Sequence, residues 1–214
     1  MHRSTRSGRS RSASRSGGSV VFRRWLLALI CCFVGTVVSI LCTDHPLADF
    51  FGAYVAHTTA RYWLDRLLGP LVLFPVAALL FLFACGCWRI SGRKLAAWTR
   101  PLLLCSWSAT WALAAEFAFK QLFSRLPHGG PHLNQFPSGT ATISVAAAAT
   151  IWLVAPRLRI PAALMTTCAC VAVVVTNGHW LSDVIAGAFL GLSIGWMTPG
   201  LLERSRENSD ANAR

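Results

Sequence analysis

A histidine and an aspartate stand four residues apart in the run Asn177-Gly-His-Trp-Leu-Ser-Asp183. On a helix, positions i and i+4 share a face. Asp183 can therefore accept a hydrogen bond from one ring nitrogen of His179 and leave the other free, which is how a nucleophilic or general-base histidine is oriented. The same residues also suit a plain helix start, with the aspartate near the positive end of the dipole.

Two further stretches carry groups that suit an anion. Lys120-Gln-Leu-Phe-Ser-Arg125-Leu-Pro127 offers a point charge at Lys120 and a planar fork at Arg125. Phe136-Pro-Ser-Gly-Thr140 opens an apolar run, where free backbone N–H groups and the positive dipole end attract negative charge. Within it, Ser138 can add a hydroxyl donor or cap the helix.

The elements that must position these groups are apolar. The chain has 214 residues, of which 54% are hydrophobic and 13% charged, and its mean hydropathy is +0.51. So few charges are unusual for a soluble domain. Apolar blocks at about 25–41, 71–87, 102–119, 140–154, 160–175 and 184–197 each approach the length needed to cross a bilayer once flanking residues are included. This predicts an all-α, polytopic membrane protein with six transmembrane helices and both termini on one side. The apolar block after Arg23 and Arg24 lacks a small-residue cleavage site, so it reads as a retained first span and not a signal peptide. The segment from about Thr43 to Leu68 mixes aromatic and polar residues. It suits either a helix lying in the membrane interface or a partly folded loop with an aromatic belt.

Basic residues set the orientation. Arg23, Arg24, Arg89, Arg93, Lys94, Arg100, Arg157, Arg159 and the arginines of both termini fall in one set of loops. The opposite set holds Arg61, Arg66, Lys120 and Arg125. The richer set is expected in the cytoplasm and His179 and Asp183 on the outer face. The net charge of +12 is thereby explained without nucleic acid. Residues 1–19, mostly Arg, Ser and Gly, read as a disordered cytoplasmic arm, residues 20–201 as the membrane domain and 202–214 as a cytoplasmic tail. Seven of the eight cysteines sit within apolar blocks and Cys42 at the end of one, which suits helix packing and not a metal site. Glu116, four residues before Lys120, is an ionisable residue inside a span, with that lysine as its simplest partner. Gly187, Gly191 and Gly195 form a small-residue ridge for close helix packing.

The three outward stretches together resemble the type-2 phosphatidic acid phosphatase (PAP2) superfamily. Its signature is a Lys followed by Arg residues and Pro, then Pro-Ser-Gly-His, then an Arg before His-x-x-x-Asp. Motif order, spacing and sidedness agree over roughly residues 70–200. The resemblance implies a PAP2-like helical bundle and a phosphohistidine formed at His179. Asp183 would hold the tautomer, and Lys120, Arg125, Ser138, Gly139 and Thr140 would surround the phosphate. No metal or cofactor is needed in such a scheme. The implied partners are a lipid phosphate or diphosphate and the bilayer; the sequence leaves oligomeric state open.

Three positions depart from the family. Pro127 and Val173 stand where it has arginines, and Thr140 stands where its acid histidine protonates the leaving oxygen. A threonine hydroxyl is too weak an acid for that step at neutral pH. His128 and His132 are candidate substitutes, or polar residues of a solvated Gly/Pro-rich loop. Another way out is a lipid diphosphate such as a polyprenyl diphosphate, whose phosphate leaving group departs with little help. The expectation is a bacterial inner-membrane lipid phosphatase with its site facing the periplasm. A phosphotransferase of the same fold and an inactive phospholipid-binding protein are the alternatives.

Overall fold

A computed structural model describes residues 13–55, 58–96, 99–123 and 136–212. Seven α-helices account for nearly all of them. They are α1 (Ala13–Val38), α2 (Asp44–Tyr54), α3 (Thr59–Ile90), α4 (Thr99–Leu122), α5 (Gly139–Val154), α6 (Arg159–Val175) and α7 (Leu181–Asn212). No strand occurs among the described residues. The protein is an all-helical, multi-pass membrane bundle. Helix α1 begins at Ala13, within the segment 1–19, and residues 1–12 lie outside the described residues.

All six expected apolar blocks are helical, but they differ in length. Among the described residues five helical stretches are long and apolar enough to cross a membrane: Trp25–Tyr54, Thr59–Ile90, Thr99–Leu122, Pro156–Val175 and Leu181–Gly200. The sixth apolar block forms α5, which has only 16 residues. At about 1.5 Å per residue it rises about 24 Å, short of the roughly 30 Å hydrocarbon layer. It lies at the centre of the bundle, packed on α4, α6 and α7. An internal helix can be short because its neighbours, not lipid, satisfy its ends.

The described part of the stretch 43–68 is mostly helical. Chain from α1 runs through a π turn, Ser39–Thr43, straight into α2, and α3 starts at Thr59. Pro46 explains the wide turn. It has no N–H to donate to residue 42 and its ring crowds that carbonyl. The turn just ahead widens the ladder, so Asp44 N–H reaches back to Ser39 O. Phe50, Tyr54, Tyr62 and Trp63 remain exposed along this region.

Small residues build the core. Ala78, Ala109, Ala112, Ile143 and Ala146 form one buried cluster across α3, α4 and α5. The glycine ridge of α7 packs on α5 as its spacing predicts. A Cβ on Gly187 would sit 2.6 Å from Ser138 O, and one on Gly195 would sit 2.7 Å from Ala149 Cβ. On Gly191 it would run into the carbonyl oxygen of Thr142. Only glycine lets the two backbones approach this closely. Ser108 Oγ adds a bond from α4 to Ala146 O of α5, at 3.0 Å. All eight cysteines are free thiols.

Candidate active site

Helix α6 ends on a Schellman turn. Gly178 N–H donates to Val173 O at 2.9 Å and Asn177 N–H to Val174 O at 3.0 Å. Asn177 takes the left-handed conformation this requires (φ 58°). Its side-chain amide then donates to Ala48 O of α2 at 2.8 Å, fastening the turn to the neighbouring helix. His179 follows directly, and its own N–H donates to Val173 O at 3.1 Å.

His179 is therefore not on a helix, contrary to the expectation from its spacing to Asp183. It precedes α7, which starts at Leu181. Trp180 holds the N-cap position, and Asp183, in the first turn, reaches back to accept the Trp180 N–H through Oδ2 at 3.2 Å. This is one half of a capping box. The same Oδ2 lies 3.7 Å from His179 Nδ1, and Asp183 is fully buried. Among the described residues Nδ1 has no hydrogen-bond partner. The capping turn thus sets the histidine beside the aspartate; the helix-start reading is displayed, and no hydrogen bond joins the ring to the carboxylate.

Ser138 is the N-cap of α5, and its side chain accepts from Ala141 N–H at 3.4 Å. It is fully buried and is not part of the cavity wall, so of its two readings the structure displays the cap. Its own N–H donates to Asp183 O at 3.0 Å, which joins the starts of α5 and α7. Glu116 and Lys120 form the expected pair on α4, with Oε1 and Nζ 2.5 Å apart.

These helix ends enclose a cavity of about 270 Å³ whose wall includes Glu116, Lys120, Gly139, Thr140, Ser144 and His179. A lysine, a helix N-terminus and an imidazole thus share one space. Arg125, His128 and His132 lie outside the described residues. Arg61 and Arg66 do not line the cavity. Arg61 faces Asp65 at 3.8 Å on the surface, and the Arg66 guanidinium stacks 5.2 Å from the Tyr62 ring centre. Val173 is buried in an apolar cluster with Ala141 and Val184.

Sequence reasoning missed Asp44. This buried carboxylate accepts Ser182 N–H at 3.0 Å and Ser182 Oγ–H at 2.6 Å, and also Ser39 Oγ–H at 2.9 Å. It secures the first turn of α7 from α2. The signal that could have found it was an acid placed directly after the first apolar block.

Fold and site define a class: a membrane-spanning helical bundle with a polar cavity where α4, α5 and the turn before α7 meet. The PAP2 superfamily model matches residues 113–207, from the second half of α4 through α7, so the resemblance seen in the motifs holds over that stretch. Among solved structures, the fold is similar to the crystal structure of the first transmembrane PAP2 type phosphatidylglycerolphosphate phosphatase from Bacillus subtilis. The TM-score is 0.56 at 18% identity, covering 82% of this chain and 96% of that one. Among curated proteins no relative matches.

Proposed function

We propose that this protein is a membrane lipid phosphatase that cleaves a phosphate monoester or diphosphate of a lipid through a phosphohistidine at His179. The observation that carries this reading is the shared cavity of His179, Lys120 and the α5 N-terminus. The PAP2 match and the phosphatase named for the similar structure support it.

Phosphate esters repel nucleophiles, so a site must neutralise their charge and hold them in line. Lys120 neutralises one oxygen. The free N–H groups at the start of α5 receive another. Asp183 faces the Nδ1 side of the imidazole, which leaves Nε2 for phosphorus. The 3.7 Å gap closes to a hydrogen bond by a small ring movement, as catalytic contacts commonly do once substrate is bound. Nε2 then forms a bond to phosphorus, the bond to the leaving oxygen breaks, and Asp183 offsets the charge on the ring. Water attacks the phosphohistidine and releases phosphate. Arg125 would add a second cation.

The basic loops support cytoplasmic termini and an outward-facing site, in a bacterial inner membrane. The test is phosphate release from a phosphatidate and a polyprenyl diphosphate by purified wild type and His179→Ala. Acid-stable product analysis with labelled phosphate accompanies it. Release by wild type and none by the variant is expected. Equal release by both, or none by either, overturns the reading. Label appearing on an added alcohol in place of free phosphate would make the protein a phosphotransferase.

A further inference from the structure

We infer that Glu116 supplies the proton for the leaving oxygen, the task Thr140 cannot perform. This rests on the proposed role of His179. Glu116 is buried on α4, and its carboxylate lies over the first residue of α5. A Cβ built on Gly139 would stand 2.7 Å from Glu116 Cδ, and closer still to Oε1. Glycine at 139 is what makes room for this carboxyl group. The contact brings it beside Thr140, where the family resemblance puts an acid, and both line the cavity with His179.

Lys120 Nζ pairs with the Glu116 carboxylate, 2.5 Å away. A lipid phosphate brings further negative charge to the same lysine. A phosphate monoester that enters as its monoanion carries one acidic proton, and it passes this proton to the Glu116 carboxylate. Substrate binding thus loads the acid. As Nε2 of His179 bonds to phosphorus, the P–O bond breaks, and the Glu116 proton passes to the departing oxygen, which leaves as an alcohol. The resulting carboxylate accepts a proton from the water that attacks the phosphohistidine. Phosphate departs and the carboxyl group is restored.

Glu116→Gln keeps the shape and removes the proton. Wild type and variant are compared on a phosphatidate, whose alkoxide must be protonated, and on p-nitrophenyl phosphate, whose phenolate leaves unaided. The expected result is a loss of about 10²–10⁴ on the phosphatidate and under about 10-fold on the nitrophenyl ester. Equal losses on the two substrates, or no loss on the phosphatidate, overturn the inference. A lipid diphosphate, which needs no acid, is then the favoured substrate. Should Glu116→Gln not fold, Glu116→Asp retains the acid but withdraws it by one methylene. A smaller split in the same direction is expected, and equal losses again overturn the inference. His179→Ala separates the two ideas, since activity surviving in that variant rejects the phosphohistidine whatever Glu116 does.

Discussion

Asp44 and Ser182, 138 residues apart in sequence, are joined by two hydrogen bonds on one carboxylate. Ser182 sits between the cap residue Trp180 and Asp183, so the link fixes the turn that carries His179. Beside it, the His45 ring packs edge-on against Trp180 at 4.9 Å. The first helical segment, outside the matched family stretch, thus holds the turn that carries His179 in place.

Asp44→Ala is expected to strand the buried Ser182 and Ser39 donors. Bonds of this kind to a charged group contribute about 1.5–3 kcal/mol each, and an unsatisfied buried donor costs about 1–3 kcal/mol. Thermal unfolding in detergent should show a clear drop in Tm. Phosphate release should fall with it even at temperatures where the variant stays folded. A variant with wild-type Tm and activity would mean that the link is dispensable.

Gly191→Ala forces a methyl group into the α5 backbone at Thr142. Overpacking of this type costs about 1–3 kcal/mol. Gly86→Ala is the control, because nothing lies within 4 Å of the added carbon. The first variant should unfold at a lower temperature and lose activity. The second should match or exceed wild type in stability.

Asp183→Asn keeps an oxygen for the Trp180 N–H and removes the charge beside His179. Stability is expected to change little, while kcat falls by a factor on the order of 10²–10⁴ because the ring loses its orienting carboxylate. Rapid-quench labelling of the phosphohistidine would report the slower first step. Undiminished labelling would assign Asp183 to capping alone.

Val173→Arg restores the charge type of the family motif, yet it should not raise activity. The Val173 side chain belongs to a buried apolar cluster with Ala141 and Val184. An unpaired guanidinium there is costly. The expected outcome is poor folding, seen as aggregation on size-exclusion chromatography. A folded, more active variant would show that this position can reach the phosphate.

Much of this architecture is legible in the sequence, because apolar blocks and glycine spacing report directly on spans and on the α5–α7 contact. Helix ends are less so. The block that became α5 has the composition of a span, but its length was set by burial among other helices. The pairing of His179 with Asp183 could be foreseen from spacing, yet it arises through a capping turn and not along a helix face. Glu116 was visible as the partner of Lys120. Its contact with Gly139 was not, since it depends on how α4 and α5 cross. An acid directly after the first apolar block marks Asp44 as notable, but nothing near it in sequence points to Ser182, 138 residues away.

The 16 residues of α5 have a bearing on how substrate arrives. Its far end runs into Pro156–Leu158 and then Arg159, whose guanidinium lies 5.5 Å from the Trp152 ring, a combination that belongs at headgroup level. With that end anchored, the shortfall of about 6 Å against the hydrocarbon layer falls at Ser138. The floor of the cavity is then sunk beneath the polar boundary nearer to it. For the lipid phosphatase proposed above, the substrate would reach it by sinking its headgroup a short way while its tails stay in the leaflet, whereas a freely dissolved phosphate ester would have to come down from the water.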